Sequence, residues 1–245
     1  PLDTLMVGSD PDARHKGAGG VLKSLMDGKG FKETGMRLVL ERAGWANRLI
    51  SALPERSLVV TMSEGERAEA EACDALMRRF AIEEGARDLG EAPGRAWLAH
   101  RYDVSYKQSA LYENGNFVDT CEVATTWARV PALYEGVKRS VGDNVLIMAH
   151  FSHAYPAGCS IYFTFAGTGR NPEHMRRRYD AAWKAALDTA VSQGATIAHH
   201  HGVGLSRASH MPAEHGEARR WFEAFKHTFD PDGILNPGKV FAEGT

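Results

Sequence analysis

Two strand-forming runs, residues 144–151 and 158–165, are separated by only six residues, and no other feature constrains the fold as strongly. A connection that short joins antiparallel strands, because a parallel pair needs a crossover of a dozen residues or more. Along 158–165, Ile161, Phe163 and Phe165 fall on one face, and Ser160, Tyr162 and Thr164 fall on the other. The hairpin therefore has an apolar side to be covered and a second side lined with hydroxyls.

The rest of the chain supplies the cover. The spacing of Cys73, Leu76, Met77, Phe80 and Ala81 predicts an amphipathic helix over 66–84, stopped by Gly85. Helices are also expected over 126–141, 172–191 and 212–229, the second opened by Asn171 as N-cap with Pro172 in its first turn. Further strands are expected at 57–63, 116–123 and 195–198. From residue 57 the order is β-α-β-α-β-β-α-β-α. That order implies an α+β fold, a mostly antiparallel sheet with helices on one face. Residues 1–20 are loop-like, and two or three glycine-interrupted helices fit 21–53. The expected division is a helical segment over 1–56 and one larger unit over 57–245. The chain begins at Pro1 rather than Met, as expected of part of a longer polypeptide.

Bulk chemistry narrows the function. A hydrophobic fraction of 43% can build a core, and a formal net charge of −2 gives no field that favours nucleic acid. No apolar run of about 18 residues exists to span a bilayer. Three widely spaced cysteines without a CxxC pair point to reduced thiols in a cytoplasmic setting, not to a disulfide framework or a cysteine zinc site.

Chemistry concentrates in three places. The first is His199-His200-His201 followed by Gly202-Val203-Gly204, imidazoles beside glycines at the expected end of a short strand. Imidazole titrates near neutrality, and glycine lets a ligand approach the main chain. In an extended chain His199 and His201 face one way and His200 the other. Hydrogen-bonding histidines of purely structural use, or adventitious metal binders, are the competing readings. The second place is the hairpin, with His150, His153 and Tyr162. On a regular strand His150 and His153 point to opposite faces, so they form no metal pair by themselves. A site could gather His153, His200 and a third ligand, but no acid lies nearby in sequence, and no metal ligand is assigned. A phenol beside the histidine run is a candidate acid or base, given a polarising neighbour. The third place is 230–239, two successive turns that end in Asn236 and Lys239 on a rigid Pro-Gly corner. The basic run Met175-Arg176-Arg177-Arg178-Tyr179 is expected to be a solvated helix face.

Taken together, the stretch from His150 to Phe165, the HHHGVG run and DPDGILNPGK resemble the C-terminal half of the FAD-linked oxidases of the vanillyl-alcohol-oxidase type. Within that family they are most similar to the alkyldihydroxyacetonephosphate synthases and their bacterial relatives. The resemblance covers 57–245. It implies FAD as cofactor, a small-molecule substrate, and an N-terminal FAD-binding domain in the same polypeptide, with a second copy of the chain as a further candidate partner. It implies catalytic roles for Tyr162, His199, His200 and His201. Lys107, Gln108, Thr120 and His153 fall to substrate binding, and Gly202, Asn236 and Lys239 to the cofactor. Gln108, with Lys107 beside it, stands where the synthases carry a substrate-binding arginine. A lysine cannot offer arginine's bidentate fork to a phosphate. The D-2-hydroxyglutarate dehydrogenase branch carries a metal site, and its positions fall here on His153, Tyr162 and His200. The expected activity is oxidation of a hydroxy acid, an alcohol or a glycerone-type ester. Redox-neutral ether-lipid synthesis, a non-catalytic α+β binding module and a metal hydrolase are the alternatives.

Overall fold

A computed structural model of the chain describes residues 31–52, 57–102, 112 and 115–240. The helices are α1 (Phe31–Glu41), α2 (Ala43–Ser51), α3 (Arg67–Glu83), α4 (Ala92–His100), α5 (Val130–Val141), α6 (Pro172–Ser192), α7 (Gly204–Ala208), α8 (Met211–His215) and α9 (Arg219–Phe229). The strands are β1 (Asn116–Thr126), β2 (Leu146–Ala154) and β3 (Gly158–Thr168). They form one antiparallel sheet in the order β1-β3-β2, with Glu122 opposite Tyr162 and His150 opposite Tyr162 on the other side. The hairpin expected from the six-residue spacing is β2-β3. Its tight end needs Gly158, since a Cβ there would lie 2.0 Å from the Thr125 carbonyl oxygen.

The two faces of the sheet divide the labour. Cys121, Val123, Ile161, Phe163 and Phe165 are fully buried, or within 1% of it, against α5 and α6. The α6 N-cap forms as its sequence implies, with the Asn171 side chain accepting from the His174 amide at 2.8 Å. Asp119 also lies on this face, and its carboxylate accepts from Tyr179 Oη at 2.6 Å and Trp183 Nε1 at 3.0 Å. Burial pushes the Cys121 thiol up to about 12, so it is a protonated packing group. On the opposite face, α1 and α2 cover only one end, where Leu40, Ala43 and Ala46 meet Leu146 and Ala166. The remainder of that face, from Thr164 to Ser160, is left to polar side chains. Among the described residues no helix is long and apolar enough to cross a membrane.

Several elements depart from the sequence expectation. Residues 57–63 form no strand, and Val59 is 75% exposed. The sheet consists of β1, β3 and β2, and this segment pairs with neither of its outer edges. Residues 195–198 contribute a single bridge, Ala124 to Thr196, instead of a strand. Carboxylates take over the bonding there, with Glu214 accepting from the Thr196 hydroxyl at 2.5 Å and the Ile197 amide at 2.9 Å. The helix expected over 212–229 is broken at Gly216, whose φ of 51° lies in the left-handed region that glycine tolerates best. Arg178 is no solvated face residue. It donates to the carbonyls of Thr168, Leu40 (3.1 Å) and Asn144, which ties α1 and the β2 entry to α6. The loop-like reading of 1–20 lies outside the described residues.

Candidate active site

The polar end of the sheet gathers residues from four places in the chain. β1 supplies Thr120 and Glu122, β2 supplies His150 and His153, β3 supplies Ser160 and Tyr162, and the bends after the Ala124–Thr196 bridge supply His199, His200 and His201. Tyr162 Oη makes a short contact with His200 Nε2, and the His201 ring stands edge-on to Tyr162 with centroids 4.9 Å apart. The His153 ring stacks on Tyr162 with centroids 6.4 Å apart and stands edge-on to His200 at 4.7 Å. The tyrosine and all three histidines singled out in sequence therefore meet, with His153 beside them.

Two details differ from the strand-based expectation. A register shift between Phe151 and Ala154 interrupts the β2-β3 ladder. An irregularity of this kind rotates the following side chains, and His153 lies on the same side of the sheet as His150 and Tyr162. Its Nδ1 is engaged by Ser152 Oγ at 2.8 Å and Ser160 Oγ at 3.3 Å. The histidine run is also bent instead of extended. His199 and His200 consequently turn the same way, and their Nδ1 atoms lie 2.8 Å apart.

The cause of that bend is Glu122, which sequence reasoning missed. Its side chain is completely buried. Oε2 accepts from the backbone amides of His199 at 3.2 Å and His200 at 3.4 Å. Oε1 lies 3.2 Å from His199 Nδ1 and 3.3 Å from His200 Nδ1. Neither ring N–H is aligned on Oε1, so this buried oxygen accepts no hydrogen bond. The only signal in sequence is an acid between Cys121 and Val123, at an alternation that puts it on the face of Tyr162. Seventy-seven residues separate it from His199.

Two further groups set the loop. Gly202 has a φ of 75°, and Arg207 Nη1 donates to its carbonyl at 3.1 Å. Arg207 is buried over the Trp183 ring, and its Nε and Nη2 have no partner among the described residues. Burial raises the Tyr162 pKa above its ordinary 10, so the phenol is protonated at neutral pH. Burial lowers that of His201 below 6.5, against the opposing pull of Glu122, so its imidazole is neutral there.

Thr120 sits at the margin of the cluster, its hydroxyl 3.1 Å from that of Thr164. Asn236 and Lys239 lie in a separate turn. There the buried Asp230 carboxylate accepts from the Ile234 and Leu235 amides at 2.9 Å each and pairs with Lys226. Among the described residues no hydrogen bond, ion pair or ring contact joins Asn236 or Lys239 to the histidines. Lys107 and Gln108 lie outside the described residues.

Residues 29–240 match the family model of FAD linked oxidases, C-terminal domain. The chain belongs to that family. It is 32% identical over 162 residues to alkyldihydroxyacetonephosphate synthase of Dictyostelium discoideum, covering 62% of this chain and 26% of the relative. It is 29% identical over 196 residues to the synthase of that name from Trypanosoma brucei brucei, covering 77% and 32%. It is 28% identical over 148 residues to the uncharacterized FAD-linked oxidoreductase YgcU of Escherichia coli O157:H7, covering 56% and 31%. This FAD-oxidase C-terminal chain thus spans about a quarter to a third of the length of the curated relatives it matches.

Proposed function

We propose that the chain forms the substrate side of an FAD-dependent oxidoreductase that acts on a small hydroxy acid, alcohol or glycerone-type ester. The observation that carries this reading is the contact between Tyr162 Oη and His200 Nε2, with His201 and His153 packed around it. The donor set fits a flavin and an oxygenated substrate. The groups exposed around the cluster are imidazoles and phenols, which can bond the polar edge of a ring system or a substrate hydroxyl, and the one carboxylate among them is buried behind the histidines. When bound, FAD supplies the electron acceptor.

In this reading Tyr162 holds the proton exchanged with the substrate oxygen, and His200 shares that proton at Nε2. His201, neutral and adjacent, donates to negative charge that develops on the same oxygen. His153 and Thr120 border the substrate, together with Lys107 and Gln108. Gly202, Asn236 and Lys239 approach the cofactor, whose adenosine and pyrophosphate fall to an FAD-binding domain of the same polypeptide. Cytoplasmic residence belongs to the same reading, supported by three free thiols, Cys73, Cys121 and Cys159.

Tyr162→Phe in the polypeptide that carries this chain with its FAD-binding domain tests the reading. Turnover falls by about 10²–10⁴-fold, the usual worth of a positioned acid or base, while flavin content stays at the parent level. Unchanged turnover would sink the assignment. A second reading, redox-neutral ether-lipid synthesis, is favoured by the 32% identity to the Dictyostelium synthase. Anaerobic mixing separates the two. Bleaching of the flavin band by a hydroxy acid or alcohol marks the oxidoreductase, whereas ester exchange on an acyl-dihydroxyacetone phosphate without bleaching marks the synthase.

A further inference from the structure

The Glu122 carboxylate presents a problem of charge. It is fully buried, and its ion-pairing neighbours among the described residues are the imidazoles of His199 and His200. Its Oε1 accepts no hydrogen bond, although a buried carboxylate oxygen left unpartnered is costly. Both neighbouring imidazoles direct Nδ1 toward the same point. The three atoms form a triangle with edges of 2.8, 3.2 and 3.3 Å. A cation above that triangle can lie at about 2.0–2.2 Å from all three, the range of metal–nitrogen and metal–carboxylate bonds. A lone proton between the two nitrogens would leave Oε1 unsatisfied; a metal ion satisfies all three atoms together.

We propose that Glu122, His199 and His200 bind one divalent transition-metal ion of the zinc type. Two imidazoles and one carboxylate suit a borderline ion better than calcium or magnesium, which prefer all-oxygen sites. The outer contacts are already in place. Oε2 is held by the His199 and His200 amides, which turns Oε1 toward the nitrogens. With Nδ1 of His200 on the metal, Nε2 is the ring atom left to face Tyr162 Oη, so the metal would orient the imidazole that shares the tyrosine's proton. His153 cannot bring its Nδ1, which Ser152 and Ser160 engage. Three protein ligands with a further position open is the arrangement of a reactive, not a purely structural, site. The His199 and His200 side chains are 27% and 34% exposed, which provides the entry path.

The test uses the polypeptide that carries this chain with its FAD-binding domain, stripped with a chelator and titrated with zinc chloride by calorimetry. Elemental analysis after dialysis gives the bound stoichiometry. One zinc per chain is expected, with affinity reduced at least tenfold in Glu122→Gln and in His199→Ala, and kept within a few-fold in His153→Ala. Should the buried Glu122→Gln fail to fold, the partly exposed His199→Ala still decides. Absence of bound zinc, or full affinity in His199→Ala, would overturn the proposal. Flavin is scored separately by its visible absorbance. Flavin without zinc removes the metal site and leaves the oxidoreductase reading standing; zinc without flavin does the reverse.

Discussion

The sheet with α5 and α6 and the pair of helices α3 and α9 are built from similarly amphipathic sequence, yet only the first hides its apolar side. In α5, Leu133, Val137 and Val141 are completely buried against the sheet. In α9 no residue is buried, and Trp221, Phe225 and Phe229 are 61%, 62% and 79% exposed. Leu76, Met77 and Phe80 of α3 are also exposed. Periodicity thus reports that a helix has an apolar face, and says nothing about which surface covers it. The candidate site residues follow the same division. Tyr162, Glu122 and the histidines stand on the well-packed sheet, and Asn236 and Lys239 stand just beyond the uncovered α9.

The sharpest way to break this contrast is Phe163→Ala. Phe163 is completely buried at the centre of the sheet, and its ring lies 6.4 Å from that of Tyr134. Truncation should cost about 3–5 kcal/mol in chemical denaturation, the range for emptying a core aromatic site. A loss under about 1 kcal/mol would mean that the sheet and its helices pack no better than α9 does.

The parts of the molecule that local sequence could specify were legible in it, and the parts made by distant pairing were not. The β2-β3 hairpin, the α6 cap at Asn171 and the breadth of α5 follow from spacing, turn length and side-chain chemistry within a few residues. Residues 57–63 have the composition of a strand, but composition cannot tell whether a neighbouring edge is free, and here none is used. The site shows the same division. Tyr162 and the histidine run stood out as local patterns, whereas Glu122 acquires its meaning only because β1 runs beside β3 and bridges to Thr196. The alternation rule failed at His153 and at His199-His200 for one reason. An irregularity in β2 and a buried carboxylate each turn the backbone out of its regular period.

A smaller effect should separate the C-terminal turn from the sheet by pH. Lys226 and the Leu235 and Ile234 amides hold the Asp230 carboxylate below its ordinary 3.8. A depressed folded-state value gives a contribution that is complete above the unfolded value and is lost as pH falls through the folded one. Amide exchange at Ile234 and Leu235 should therefore accelerate on acidification below about pH 4, beyond the intrinsic change and ahead of the β3 amides. Asp230→Asn should raise exchange at those two amides already at neutral pH and remove its acid dependence. Acceleration in β3 at the same pH would show that the turn and the sheet open together.

The smallest effect is expected where the apolar face is bare. Phe225→Ser in this chain removes a ring that is 62% exposed from a helix without a buried residue. Little burial is lost, so the stability measured by denaturation should move by no more than about 0.5 kcal/mol, as for ordinary surface substitutions. The change is informative because serine and phenylalanine have similar helix propensities. A loss near that of Phe163→Ala would have to come from packing, and would mean that α9 is covered in solution. A negligible loss, with reduced self-association or reduced binding of a hydrophobic dye, would identify the Trp221–Phe225–Phe229 face as exposed apolar surface.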